Sequence, residues 1–196
     1  MKEAIDSAAL AQLFTEARTA NGWLDKPVAP SLLRELYDLA KMGPTAQNTQ
    51  PMRLVFLTTP QAKERLVPAL SPGNVDKTRQ APLSIIVATD RRFYDLMPKI
   101  WHNPAARETF VQKPELAQAT AARNATLQGG YLILAARALG LDCGPMSGFD
   151  IAKVDAEFFP DGRWTANFLC NLGYGDDSKL LGRQPRLGFE EACVVL

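Results

Sequence analysis

The spacing of apolar positions predicts a first helix over Ser7–Ala20, where Leu10, Leu13, Phe14 and Ala17 recur at helical intervals and Asn21-Gly22 supplies a stop. Arg18 falls in the last turn of that helix. A second helix is expected from Ser31, with Glu35 close to the capping-box position. It carries Leu32, Leu36, Leu39 and Ala40 before Gly43-Pro44 breaks it. Runs rich in β-branched or large apolar residues predict strands at Arg53–Thr59, Leu83–Thr89 and Thr165–Gly173. The middle run, Leu-Ser-Ile-Ile-Val-Ala, lacks a polar face and belongs at the centre of a sheet. The longest helical pattern spans Pro114–Gly140. Leu127, Tyr131, Leu134, Ala135 and Ala138 share one side of it, and Gly129-Gly130 allow a neighbour to come close, so it reads as a core helix at an interface. Helices outnumber strands without alternating strictly with them, which favours an α+β fold over a regular doubly wound sheet.

At 196 residues the chain is expected to form one folding unit, and 46% hydrophobic with 22% charged residues is too apolar for intrinsic disorder. Lys and Arg total 22 against 21 Asp and Glu, so no global field directs the chain to nucleic acid or to an acidic membrane. Any cationic site must be local. The stretch Met1–Phe14 lacks the basic start and apolar run of a secretory signal, and runs such as Leu83–Ala88 fall far short of the roughly 20 residues of a membrane helix. A cytoplasmic address is expected. Cys143, Cys170 and Cys193 are odd in number and widely spaced, which suits reduced structural thiols and indicates neither a disulfide frame nor zinc.

Several chemistries find no support. His102 is the only histidine, and Ser147 in Pro-Met-Ser-Gly-Phe lacks the flanking glycines of a nucleophile elbow. One histidine without clustered Cys or paired acids leaves too few donors for a first-row metal, so no metal site is expected. Gly173-Tyr174-Gly175 does not complete a dinucleotide fingerprint, and no Walker A sequence occurs. Phosphate, if held, is held by scattered cations and backbone amides. The loop Gly43–Pro51 is almost all small or amide-bearing, suited either to hydrogen-bonding a polar ligand or to an ordinary turn. The segment Arg91–Lys113, with Phe93, Tyr94, Pro98, Trp101, His102, Pro104 and Phe110, is an excursion that serves either as a lid or as a helical decoration.

Four separated segments carry more specific information. Ala-Arg-Thr-Ala-Asn-Gly-Trp begins at Ala17, Gly-Pro-Thr-Ala-Gln-Asn-Thr-Gln-Pro at Gly43, Asn74–Lys77 precedes Ala81-Pro82, and Gly-Leu-Asp-Cys-Gly-Pro-Met-Ser-Gly-Phe-Asp runs from Gly140 to Asp150. Together, and in this order, they resemble the nitroreductase family of flavoproteins. The first is similar to that family's Arg-Arg-Ser-x-Arg-x-Phe element, with Asn21 standing where Lys or Arg is usual. The second resembles its Pro-Ser-x-x-Asn-x-Gln-Pro flavin loop. The fourth resembles its Gly-Leu-Gly-x-x-Pro-x-x-Gly-Phe-Asp segment. Gly173-Tyr174-Gly175 followed by Arg183 and Arg186 is similar to the family's phosphate-clamping end, with Arg186 aligning best.

The resemblance implies a nitroreductase-like α+β fold with a central, mostly antiparallel sheet flanked by helices, assembled as an intertwined homodimer whose FMN sites straddle the interface. It implies an FMN-dependent NAD(P)H oxidoreductase that works by ping-pong hydride transfer through flavin N5. The implied cofactor contacts are Arg18, Thr19, Asn21, Pro44, Thr45, Ala46, Asn48, Gln50, Asn74, Lys77, Pro145, Met146, Ser147, Gly148, Arg183 and Arg186. Lys77 and Asn74 are the implied catalytic pair, Lys77 stabilising negative charge on the reduced ring. Within the family, Gly-Pro-Met-Ser-Gly-Phe-Asp and the ending Phe-Glu-Glu-Ala-Cys resemble members that reduce malonic semialdehyde to 3-hydroxypropionate in pyrimidine degradation. Such a substrate needs a cation for its carboxylate, either Arg53 or a group of the excursion. A quinone or nitroaromatic reductase, a flavin-binding protein without turnover and a non-flavin structural dimer are the competing readings.

Overall fold

The computed structural model describes residues 3–103 and 105–196; Met1 and Lys2 of the N-terminal stretch and Pro104 of the excursion lie outside them. Four strands, β1 (Met52–Leu57), β2 (Leu83–Asp90), β3 (Asp142–Met146) and β4 (Trp164–Gly173), form a sheet in the order β1-β2-β4-β3, and every neighbouring pair is antiparallel. The helices in chain order are α1 (Ser7–Leu10), α2 (Pro30–Ala40), α3 (Pro60–Leu66), α4 (Pro72–Gln80), α5 (Met97–Ile100), α6 (Ala106–Gln112), α7 (Pro114–Ala138), α8 (Ile151–Phe158) and α9 (Phe189–Ala192). The α+β expectation and the antiparallel sheet hold.

All eight residues of β2 are buried, as its unbroken apolar run predicts. Its alternating side chains feed two cores. Ile85 and Val87 pack with Leu36, Ala125, Leu132 and Leu172 on the α2 and α7 face, while Ile86 and Ala88 pack with Leu66, Val154 and Leu169 on the α3 and α8 face. Helices therefore cover the sheet on both sides. Opposite Val87 and Ala88 the pairing skips Asn167, a bulge in β4. Its side chain bonds Thr126 Oγ1 at 3.0 Å.

Three local expectations fail for identifiable reasons. The first helix stops short: α1 passes into a π-helical turn over Ala11–Thr15, and by Thr19 the backbone is extended and paired in parallel with Cys143, Ala20 N donating to Cys143 O at 2.9 Å. The open edge of β3 thus takes up residues that helical spacing had claimed. The second helix starts at Pro30, whose fixed φ suits the first helical position, rather than on a Ser31 cap, and Leu39 is 46% exposed. Third, Leu127 and Tyr131 of α7, expected on its packed side, face away from the sheet.

That helix turns Ala117, Ala121, Ala125, Gly129, Leu132 and Ala136 inward. A Cβ on Gly129 would lie 2.5 Å from the Phe168 ring, so the small residues set how closely helix and sheet approach. Leu127 and Tyr131 are 51% and 41% exposed and, with Gly130, Leu134 and Ile151, line a groove of about 1200 Å³. The excursion builds a cluster of its own, with Phe93, Met97 and Phe110 packed on Ala117 and Ala121. The thiols of Cys143 and Cys170 are buried, and the neighbouring Cys143 thiol together with burial pushes Cys170 well above the usual thiol range, which suits an inert, protonated thiol at Cys170. Among the described residues no helix is long and apolar enough to cross a membrane.

Candidate functional site

The structure gathers the candidate residues into two groups. The first forms around α4. Asn74 Nδ2 donates to the Gly148 carbonyl at 2.8 Å, and a Cβ on Gly148 would stand 2.7 Å from that nitrogen, so a side chain there would displace the Asn74 amide and disturb the bond. Pro145 and Met146 close β3, and Ser147 follows exposed. One turn further along α4, the Lys77 carbonyl accepts from Trp23 Nε1 at 2.9 Å. That bond ties the helix to the segment bearing Arg18, Thr19 and Asn21.

Buried polar groups fix α4 from behind. Ser84 Oγ donates to Asn171 Oδ1 at 2.7 Å, Asn171 Nδ2 donates to Thr78 Oγ1 at 3.1 Å, and the Thr78 hydroxyl points to the Met146 sulfur at 3.9 Å. Helix ends leave carbonyls without partners, and Lys63 Nζ supplies donors there, reaching Arg79 O at 2.6 Å and Ala81 O at 2.5 Å. Burial lowers the pKa of this lysine from its ordinary value, against a smaller opposing pull from Glu64. Lysine 63, Thr78, Ser84 and Asn171 escaped sequence reading because each is a lone polar residue in an apolar or mixed run.

Arg18 donates to the Leu181 carbonyl, holding the C-terminal segment against the N-terminal one. Arg183 reaches the Ala17 carbonyl at 3.5 Å, and both arginines line a pocket of about 390 Å³ together with three acids, Glu16, Asp142 and Asp177. Arg186, the better family match, lies further along an exposed tail with Nη1 turned to the carbonyls of Gln184 and Pro185. Asn21 Nδ2 donates to the Thr19 carbonyl at 3.4 Å. Among the described residues Arg18, Lys77, Arg183 and Arg186 form no ion pair with an acid.

The second group is the loop holding Pro44, Thr45, Ala46, Asn48 and Gln50. It leads into β1 at Met52, opposite Thr89 at the end of β2, whereas Thr19 sits beside Cys143, whose row across the sheet runs through Leu172 to Leu83 at the start of β2. The Thr19 end of the first group and this loop therefore occupy diagonal corners of the sheet, while Pro145 and Met146 lie in rows between them. The six residue steps from Thr89 to Leu83 and three strand spacings set Met52 and Cys143 on the order of 25 Å apart. Within one chain Arg18 and Asn48 do not converge. Asn48 Nδ2 instead donates to Ile100 O at 2.8 Å, and the Gln50 side chain donates to Asn48 Oδ1 at 2.9 Å, while Gln50 lines a cavity of about 420 Å³ with Arg53, Lys41 and Lys99.

Arg53, a candidate for a substrate carboxylate, is already committed: its guanidinium binds buried Asp90 at 2.7 Å and the carbonyls of Gln50 and Met52. In the excursion Arg91, Arg92 and Arg107 pair with Asp155 or Asp95, whereas Lys99 makes no ion pair among the described residues. His102 is exposed against the Trp101 ring, 4.1 Å between centroids.

Residues 16–174 match the family model described as "Nitroreductase family". A protein of Rhodopseudomonas palustris (strain TIE-1) named "Putative NADH dehydrogenase/NAD(P)H nitroreductase" is 56% identical over 196 residues, the whole of both chains. A like-named protein of Ralstonia nicotianae is 56% identical over 192 residues, 98% of each chain. Among solved structures, a "putative nitroreductase in complex with FMN" from Exiguobacterium sibiricum 255-15 superposes with a TM-score of 0.85 at 16% identity, covering 100% of this chain and 99% of that one.

Proposed function

The chain belongs to the nitroreductase family, and from that premise we propose that it is an FMN-dependent NAD(P)H oxidoreductase acting as a homodimer. One observation carries the reading: residues far apart in sequence, Arg18 with Leu181, Trp23 with Lys77 and Asn74 with Gly148, are tied by hydrogen bonds into one unit whose cations form no ion pair among the described residues.

The donor set fits a flavin mononucleotide. Arg18, Arg183 and Arg186 with Thr19 and Asn21 suit its phosphate, since planar guanidinium groups match phosphate oxygens. Asn74 and Lys77 suit the polar edge of its ring, and the backbone of Pro145, Met146, Ser147 and Gly148 suits close approach. The second group, from Pro44 to Gln50, is assigned to the flavin of the partner copy, because one chain keeps it at the opposite corner of the sheet. When bound, FMN supplies the hydride chemistry that links a nicotinamide to an acceptor. Lys77 contributes a cation whose backbone Trp23 holds in place. The groove along α7, with exposed Leu127 and Tyr131, is assigned to the second copy, since apolar patches of this kind mark protein contacts.

For the acceptor we propose an aldehyde carrying a carboxylate, malonic semialdehyde, on the strength of Gly-Pro-Met-Ser-Gly-Phe-Asp and the Phe-Glu-Glu-Ala-Cys ending. With Arg53 committed to Asp90, Lys99 is the cation assigned to that carboxylate. A quinone or nitroaromatic acceptor is the competing reading, in keeping with the names of the relatives. The deciding experiment is the visible spectrum of the purified protein before and after NADPH without oxygen. A flavin band that bleaches is expected. A yellow protein that NADPH leaves unchanged makes it a flavin carrier, and one that FMN cannot turn yellow overturns the reading.

A further inference from the structure

The loop before β1 is held in a conformation its own sequence disfavours. Gln47, Asn48 and Gln50 all have positive φ, at 51°, 52° and 42°, and none is glycine. Left-handed backbone is disfavoured for residues with a Cβ, and three within four positions persist only where the surroundings impose them. Thr49 adds a second strain: its hydroxyl is buried without a hydrogen-bond partner among the described residues.

The imposing groups come from the framework. Asp90, 1% exposed at the end of β2, accepts from Arg53 at 2.7 Å and from Arg163 at 3.3 Å, and its own N–H donates to Pro51 O at 2.8 Å. Arg53, oriented by that carboxylate, sends Nη1 to Gln50 O at 2.9 Å and Met52 O at 2.8 Å. From α7, Asn124 Oδ1 accepts from Ala46 N at 2.7 Å and Gln128 Oε1 accepts from Met52 N at 3.0 Å. We propose that Arg53, braced by Asp90, is a positioning residue that clamps this loop into its left-handed shape and so presents it to the cofactor of the partner subunit. The inference rests on the assignment of this loop to that flavin.

Arg53→Lys keeps a charge but has one nitrogen in place of the two with which the guanidinium holds Asp90 and both carbonyls at once. In the FMN-free protein it is expected to speed amide hydrogen exchange at Ala46, Asn48, Thr49 and Gln50 by about tenfold, and to raise the dissociation constant for FMN by about tenfold. Glycine takes left-handed backbone freely, so adding Gln47→Gly, an exposed position clear of the clamp, recovers about fivefold of that affinity. General loss of stability is not rescued in this way. Gln47→Val, with Arg53 intact, opposes the left-handed shape directly and is expected to speed the same amides, which keeps the test sound if Arg53→Lys does not fold. Faster exchange with weaker FMN supports the clamp and the loop assignment together. Faster exchange with unchanged FMN affinity keeps the clamp and removes the loop from the flavin site. Wild-type exchange in both variants overturns the clamp.

Discussion

Replacing Asn171 by Leu removes the centre of the buried chain that joins Ser84, Thr78 and α4. Asn171 is fully buried, Thr78 is fully buried, and Ser84 is 1% exposed, so no water replaces the lost partner. Two hydrogen bonds disappear, at 2.7 and 3.1 Å, each contributing about 1 kcal/mol net. Ser84 Oγ then has no acceptor, and that orphaned hydroxyl adds about 1–3 kcal/mol. Thr78 keeps its weak contact to the Met146 sulfur, so its share is small. The expected loss is about 3–5 kcal/mol, or roughly 6–20 °C in Tm for a chain of this size. The asymmetry of hydrogen-bond deletion supplies the sharper test, because removing all partners together costs less than removing one. The triple variant Asn171→Leu, Ser84→Ala, Thr78→Val is expected to recover about 1 kcal/mol or more over Asn171→Leu alone. Urea unfolding of the FMN-free protein measures both. A single variant within 1 kcal/mol of wild type, or a triple variant less stable than the single one, would refute the reasoning.

Four further outcomes follow from the site. Lys77→Ala is expected to slow flavin reduction by NADPH about tenfold or more with under 1 kcal/mol lost in stability, and wild-type reduction in stopped flow would remove Lys77 from its role. Arg18→Ala is expected to raise the FMN dissociation constant about tenfold to a hundredfold, more than Arg186→Ala does, as read by flavin retained through gel filtration. Leu127→Glu places a charge in the α7 groove and is expected to shift the protein to monomer; sedimentation that still finds dimer would move the interface elsewhere. Burial lowers the folded pKa of Lys63, so between that pKa and its ordinary value of 10.5 the unfolded chain holds the extra proton and stability rises with pH. The stability of wild type relative to Lys63→Met should therefore grow on approach to pH 10.5, and a difference flat with pH counts against the burial argument.

What the sequence determined by itself was local and repetitive: the apolar run that makes Leu83–Asp90 a central strand, the long helix after Pro114, and the ordered segments around Arg18, Asn48, Lys77 and Gly148. Side-chain period and motif order are written in neighbouring residues, so they survive without coordinates. Partnership across the fold is not written there. Only the tertiary structure decided that Thr19 leaves helical spacing to pair with the β3 edge, because an open strand edge offers backbone hydrogen bonds that propensity cannot weigh. It decided that the Ala and Gly side of α7 faces the sheet and leaves Leu127 and Tyr131 outside, because close packing favours the small side. It also decided that Arg53 answers Asp90, 37 residues away, instead of a ligand, since a buried carboxylate must be paired. The separation of Arg18 from Asn48 to opposite corners of one sheet belongs to the same class, for it follows from strand order and register alone.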